Sequence, residues 1–144
     1  MATGSGWKSV TGMNDMTPRP VLGTILVVER DPHTAGLLEY LLRREGYEVL
    51  AVTDNGTAHR LLDHLDLPVV VFLDLELSKE DGFGLLQAIR HRPGWQGTPV
   101  LMLVEPHTLD DVSPALSAGA SDYIVQPFHH AELLGQIHRY TINL

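Results

Sequence analysis

The side chains best placed for chemistry in this chain are carboxylates that end apolar runs. Glu29 and Asp31 follow TILVV at 24–28, Asp74 follows VVVFL at 69–73, and Glu105 follows VLMLV at 100–104. Short, β-branched runs of this kind read as strands buried on both faces. In an open parallel sheet, ligands bind outside the carboxyl ends of the strands. The expected site is therefore a rim of carboxyl groups drawn from distant parts of the chain. Other chemistries fall away. Without cysteine there is no thiol nucleophile, thiolate zinc site, iron–sulfur cluster or disulfide framework. The eight histidines, among them His33, His59, His107 and His130, lack the paired i, i+4 spacing of a helical zinc site and read as surface residues. Gly82-Phe83-Gly84 is a dinucleotide fingerprint without its third glycine. The acidic ERDPH at 29–33 is the opposite of a hydroxyl-rich phosphate loop, so FMN is not expected.

The elements that must position these acids alternate along the chain. Strands are expected at 24–28, 47–52, 69–73, 100–104 and 123–125. After the first comes a helix opened by Asp31-Pro32, striped by Leu37, Leu38, Leu41 and Leu42, and stopped by Arg43, Arg44 and Gly46. Further helices are expected at 57–65, 83–90, 110–118 and 130–140, with a polar loop between Asp74 and Phe83. Asp81-Gly82 reads as a tight turn and helix start. Five strand–helix units give an α/β sandwich with a parallel central sheet, for which 2-1-3-4-5 is one common strand order. Its switch point, between the first and third strands, is where Glu29, Asp31 and Asp74 meet. Residues 1–20, rich in Gly, Ser, Thr, Met and Pro without periodicity, read as a flexible N-terminal extension. The folded domain is 21–144.

Composition narrows the partners. The chain has 144 residues, 44% hydrophobic and 19% charged, with a net charge of −8. This is ordinary for one globular domain. Lys8 and Lys79 are the only lysines, so no basic stripe exists for a nucleic-acid backbone. No apolar run is long enough to span a bilayer, and the first twenty residues lack a signal peptide's apolar core. The expectation is a cytoplasmic protein that binds neither membrane nor, by itself, nucleic acid.

ILVVERDP at 25–32, VVVFLDLELSKEDG at 69–82, PVLMLVEP at 99–106 and AGASDYIVQPF at 118–128 resemble the receiver domain of two-component response regulators. The resemblance covers everything after residue 20. It implies an α/β, doubly wound (βα)5, flavodoxin-like three-layer sandwich with parallel sheet order 2-1-3-4-5, and a phosphorelay module, not an enzyme in its own right, whose aspartate takes a phosphoryl group from a histidine kinase or phosphotransfer protein. Asp74 matches that phosphoacceptor. The resemblance implies Mg2+ held at Glu29, Asp31 and Asp74 and by the main-chain carbonyl of Glu76. This sequence departs from the pattern at three points. Arg30 replaces the acid that ligates the metal directly, Val104 replaces a hydroxyl residue, and Gln126 replaces a lysine. Removing one donor to a developing oxyanion costs about 10²–10³ in rate, and such losses do not add. The implied function is an atypical receiver with Asp74 as acceptor; the alternative is a phosphorylation-independent scaffold. Arg30 can substitute for metal and lysine if its guanidinium forks onto Asp74, and Lys79 is a second candidate cation. Tyr123 matches the family's switch aromatic, with one preferred rotamer expected beside Val104. Ser78 stands where proline is common. The segments 110–118, 123–125 and 130–140 match the face through which the family often forms homodimers. No output domain follows Leu144, so DNA binding is expected to come from elsewhere.

Overall fold

A computed structural model describes residues 21–142. The extension expected at 1–20 lies outside the described residues. Five parallel strands, β1 (Thr24–Val28), β2 (Glu48–Val52), β3 (Val70–Asp74), β4 (Val100–Val104) and β5 (Asp122–Val125), form one sheet in the order β2-β1-β3-β4-β5. The expected fold class and strand order are thus those observed. β3 and β4 are buried at every residue, whereas the edge strands β2 and β5 are only partly covered. That difference is why the central strands read as unbroken apolar runs and the edges do not.

Alternate residues of each strand feed two cores. Ile25, Val27, Phe72 and Leu101 pack against Leu38 and Leu42 of α1 (Pro32–Arg44) and Leu133 and Ile137 of α6 (His130–Thr141). Leu26, Val28, Leu73 and Met102 pack against α2 (Asn55–Leu62), α4 (Gly84–His91) and α5 (Val112–Ser117) through Ala58, Leu62, Leu86, Ile89 and Ala115. A one-residue slip of a strand would carry each of its side chains to the opposite core, so the register is strongly specified.

Two expectations need correction. The polar loop after Asp74 contains a helical turn, α3 (Leu75–Glu80). Asp74 caps it, accepting from the Glu76 and Leu77 N–H groups, and Leu75 and Leu77 are buried beneath it. Six residues are too few to show a helical period. The helix expected at 110–118 is a 3-10 segment, Pro106–Asp111, followed by the short α5. Pro114 lacks the N–H that would continue an α-helical ladder from Asp110. The Asp81 carboxylate accepts from the N–H groups of Gly84 and Leu85, both at 3.0 Å, so it opens α4 as a helix start. Among the described residues, no helix is long and apolar enough to cross a membrane.

Candidate phosphoacceptor site

The carboxyl ends of β1, β3 and β5 and the β4–α5 connection enclose a pocket of about 120 Å³. Its lining includes Glu29, Arg30, Asp74, Glu76, Thr108 and Gln126. Wider grooves of about 470 and 520 Å³ lie near the start of β1 and the α1–β2 turn, away from these acids.

Asp74 is the last residue of β3 and is only 6% exposed. Its Oδ2 accepts the Arg30 N–H at 3.1 Å, and its Oδ1 accepts the Glu76 N–H at 2.9 Å. Two backbone donors thus hold the carboxylate in one orientation. The Ser78 hydroxyl, fully buried, donates to the Asp74 carbonyl at 2.9 Å.

Glu29, equally buried, accepts the Asp31 N–H at 2.9 Å on Oε2 and the Gln126 side-chain amide at 3.3 Å on Oε1. Burial pushes its carboxyl up from 4.5 to about 7; the Asp31 N–H opposes this, while the charge of Asp74 reinforces it. Two buried acids therefore face one another without a resident positive charge between them. That donor set fits a divalent cation, which favours oxygen ligands and, for Mg2+, needs only one or two protein carboxylates with water completing the shell.

The Arg30 fork onto Asp74 is not formed. The main chain of Arg30 meets Asp74, but its guanidinium turns to α3, 2.9 Å from Glu76 Oε2 and 3.3 Å from Glu80 Oε2. The cause is α3 itself. It sets Glu76 and Glu80 one turn apart on a common face, while both Asp74 oxygens already accept backbone N–H groups. Arg30 in turn holds the Glu76 carboxyl below the usual carboxylate range. Lys79 is not at the acceptor either; its Nζ pairs with Asp111 at 2.7 Å.

The remaining residues named from the sequence are dispersed. Asp31 lines the pocket mouth, but its carboxylate caps α1, accepting from the His33 N–H at 3.1 Å and the Thr34 hydroxyl at 2.9 Å. Val104 is fully buried in the apolar core. Tyr123 is 37% exposed on β5, where its carbonyl accepts the Gln136 amide at 3.0 Å. Gln126 reaches the site through Glu29, and the Gln126–Pro127 peptide bond is cis.

Thr108, which the sequence reading passed over, enters here, and His107, Glu76 and Glu105 take places it did not foresee. Thr108 is buried in the pocket wall, its hydroxyl donating to the Glu105 carbonyl at 2.9 Å. His107 approaches Glu76 at 3.3 Å. Among the described residues, the side-chain group with three metal-capable ligands is Glu76, Glu105 and His107, with ligand atoms within 4.8 Å of one another. This group does not include Glu29, Asp31 or Asp74. The i, i+4 spacing of Glu76 and Glu80 was the available signal, but it speaks only once α3 is known to be helical.

The fold is a doubly wound parallel α/β module with two buried acids at the carboxyl ends of its central strands. Residues 25–138 match the family model of the response regulator receiver domain, and the chain belongs to that family. It is 39% identical over 123 residues to the transcriptional regulatory protein YrkP of Bacillus subtilis (strain 168), covering 82% of this chain and 51% of that protein. The chain spans about half the length of several curated relatives that it matches. Among solved structures it is similar to the signal receiver domain of a histidine kinase from Syntrophus aciditrophicus, with a TM-score of 0.73 and 29% identity over 85% of this chain and 92% of that one. The receiver domain of sensor histidine kinase PA1611 from Pseudomonas aeruginosa PAO1 matches with a TM-score of 0.72 and 29% identity, over 83% and 97% of the respective chains. That structure has a magnesium ion coordinated in its active-site cleft.

Proposed function

We propose that this chain is an atypical receiver in which Asp74 accepts a phosphoryl group from a phosphohistidine of a histidine kinase or phosphotransfer protein. The observation that carries this reading is the Asp74 carboxylate, pinned by the Arg30 and Glu76 N–H groups at a pocket of about 120 Å³. An Asp74 oxygen attacks phosphorus in line. A P–O bond forms as the P–N bond to the imidazole breaks, the leaving nitrogen takes a proton, and Asp74 becomes an acyl phosphate.

Glu29 and Asp74 are the carboxylates that would hold Mg2+, since the Asp31 carboxylate is committed to the α1 cap. Mg2+, when bound, supplies positive charge to the oxygens of the transferring group. The protein's own contribution is to orient Asp74 through two backbone N–H groups and to place the Gln126 amide beside Glu29. Because Val104 offers no hydroxyl and Gln126 no charge, transfer is slower than in a receiver carrying those groups. A cytoplasmic location is part of the proposal.

The test is incubation with a small acyl phosphate and Mg2+ followed by intact mass measurement, beside Asp74→Asn and a metal-free sample. Gain of one phosphoryl group that disappears in Asp74→Asn supports the reading. No gain under conditions that label an ordinary receiver overturns it. A phosphorylation-independent scaffold is favoured by one observation, the exposed Leu109, Leu116 and Tyr123 on the 3-10 segment, α5 and β5. That reading expects self-association in sedimentation measurements that Asp74→Asn leaves unchanged.

A further inference from the structure

Arg30 occupies an unusual place in this site. Its main-chain N–H is bound to the acceptor carboxylate at 3.1 Å, while its guanidinium sits on two acids of α3 at 2.9 and 3.3 Å. Arg30 and Asp74 line the same pocket, so a group added to Asp74 enters space that the Arg30 side chain borders. The carboxylate of Asp74 already adds to Glu76 in favouring the charged guanidinium.

We propose that Arg30 is the phosphate-recognising residue of this site and that it works by partner exchange. When Asp74 carries a phosphoryl group, the guanidinium leaves Glu76 and Glu80 and forks onto the phosphoryl oxygens. The inference rests on the phosphoacceptor reading of Asp74 and adds how the modification is sensed.

The exchange has a direction. The pairs with Glu76 and Glu80 involve a guanidinium side chain that is 44% exposed, and half-solvated pairs are weak. A phosphoryl group beside Asp74 offers more negative charge and several acceptor oxygens in the planar geometry a guanidinium matches. Among the described residues no other lysine or arginine lines this pocket: Lys79 is held by Asp111, and the β5 position carries Gln126. The exchange also has a consequence. Glu76 is shared between Arg30 and His107, and Lys79 ties α3 to Asp111. Departure of Arg30 removes the ion pairs that tie the exposed face of α3 to the end of β1, leaving those on the Pro106–Asp111 side, while the Asn55 amide on the Leu77 carbonyl and the buried Leu75 and Leu77 keep the helix seated.

The test follows amide exchange across residues 75–80 by mass spectrometry, before and after labelling with a small acyl phosphate and Mg2+, with intact mass recorded on the same samples. Wild-type α3 should exchange at least about threefold faster once labelled, because amides in locally opened segments exchange first. The double variant Glu76→Gln/Glu80→Gln should show the faster exchange before labelling and no further change after it. Arg30→Gln should be labelled about tenfold to a hundredfold more slowly, with Arg30→Lys in between and both variants retaining the wild-type melting temperature. Labelling of the wild type with α3 exchange unchanged overturns this inference alone. So does a further rise in the double variant as large as that in the wild type. Absence of labelling in the wild type overturns the phosphoacceptor reading and this inference with it.

Discussion

The side-chain amide of Gln126, at the end of β5, donates to Glu29 Oε1, at the end of β1, over 3.3 Å and 97 residues of chain. The bond joins two substituted or ambiguous positions of the site into one unit. It also sets the electrostatics of the pocket, because Glu29 is buried opposite Asp74 and has only neutral donors to oppose its protonation.

The first expectation concerns pH. The Glu29 carboxyl lies at about 7 in the folded chain against 4.5 when unperturbed, so between these values the folded state holds a proton that the unfolded state has released. The stability tied to this proton is complete below the unfolded value and lost as pH rises through the folded one. The total is roughly 3 kcal/mol at about 1.4 kcal/mol per unit. In a metal-free buffer, urea unfolding should therefore show wild type losing stability from pH 5 to pH 8 by roughly that amount. Glu29→Gln should flatten this slope; an unchanged slope in the variant would assign it elsewhere.

Metal binding should carry the same proton. If Mg2+ is held by Glu29 and Asp74, its binding near pH 6 must displace a proton from Glu29, while near pH 8 the site is already ionised. Calorimetric titrations in buffers of different ionisation enthalpy should give close to one proton released at the lower pH and close to none at the higher. Asp74→Asn should weaken Mg2+ binding at both. Equal proton release at the two pH values would show that Glu29 is not a ligand.

Restoring the substituted groups should separate chemistry from stability. Gln126→Lys places an ammonium beside Glu29; it should pull the Glu29 carboxyl back down and raise the rate of labelling by small acyl phosphates about tenfold or more. Val104→Thr behaves differently, because Val104 is fully buried in the apolar core. An added hydroxyl there should lower stability by about 1–3 kcal/mol, whatever it does for labelling. Denaturant unfolding and labelling rates measured on each variant decide both points.

Arg90 should be among the most sensitive positions away from the site. Its guanidinium donates to the carbonyls of Thr98 at 2.7 Å, Gly119 at 2.8 Å and Trp95 at 3.2 Å and to the Ser121 hydroxyl at 3.3 Å. It thereby ties α4 to the approaches of β4 and β5, although burial disfavours its charge. Arg90→Ala should cost about 2–4 kcal/mol in denaturant unfolding because several partly buried carbonyls lose their donor. Arg90→Lys should recover only part, since an ammonium cannot span the same carbonyls. A loss below about 0.5 kcal/mol, the ordinary range for surface changes, would contradict this account.

Most of the fold was legible in the chain. Runs such as TILVV and VLMLV are buried on both faces and carry their own signal, and Asp31-Pro32 announces α1 through chemistry confined to a few residues. The gathering of Glu29 and Asp74 at one pocket followed from the strand order. α3 was not legible, because its six residues hold no full apolar stripe and its cap is Asp74, whose role looked purely chemical. The break before α5 could be read only from one proline within an acidic stretch.

The sequence by itself determined the strands, the helices that follow them and the acids that end the strands, because these depend on local periodicity and on residue types that act over a few neighbours; the strand order was expected on the resemblance of four separated motifs. Tertiary structure decided where each charge goes. Arg30 faces Glu76 and Glu80 instead of Asp74, Lys79 faces Asp111, and Asp31 closes α1. Side chains of this length reach several partners from one backbone position. The choice among them falls to whichever carboxylate the surrounding elements leave within reach and not already satisfied by backbone N–H groups.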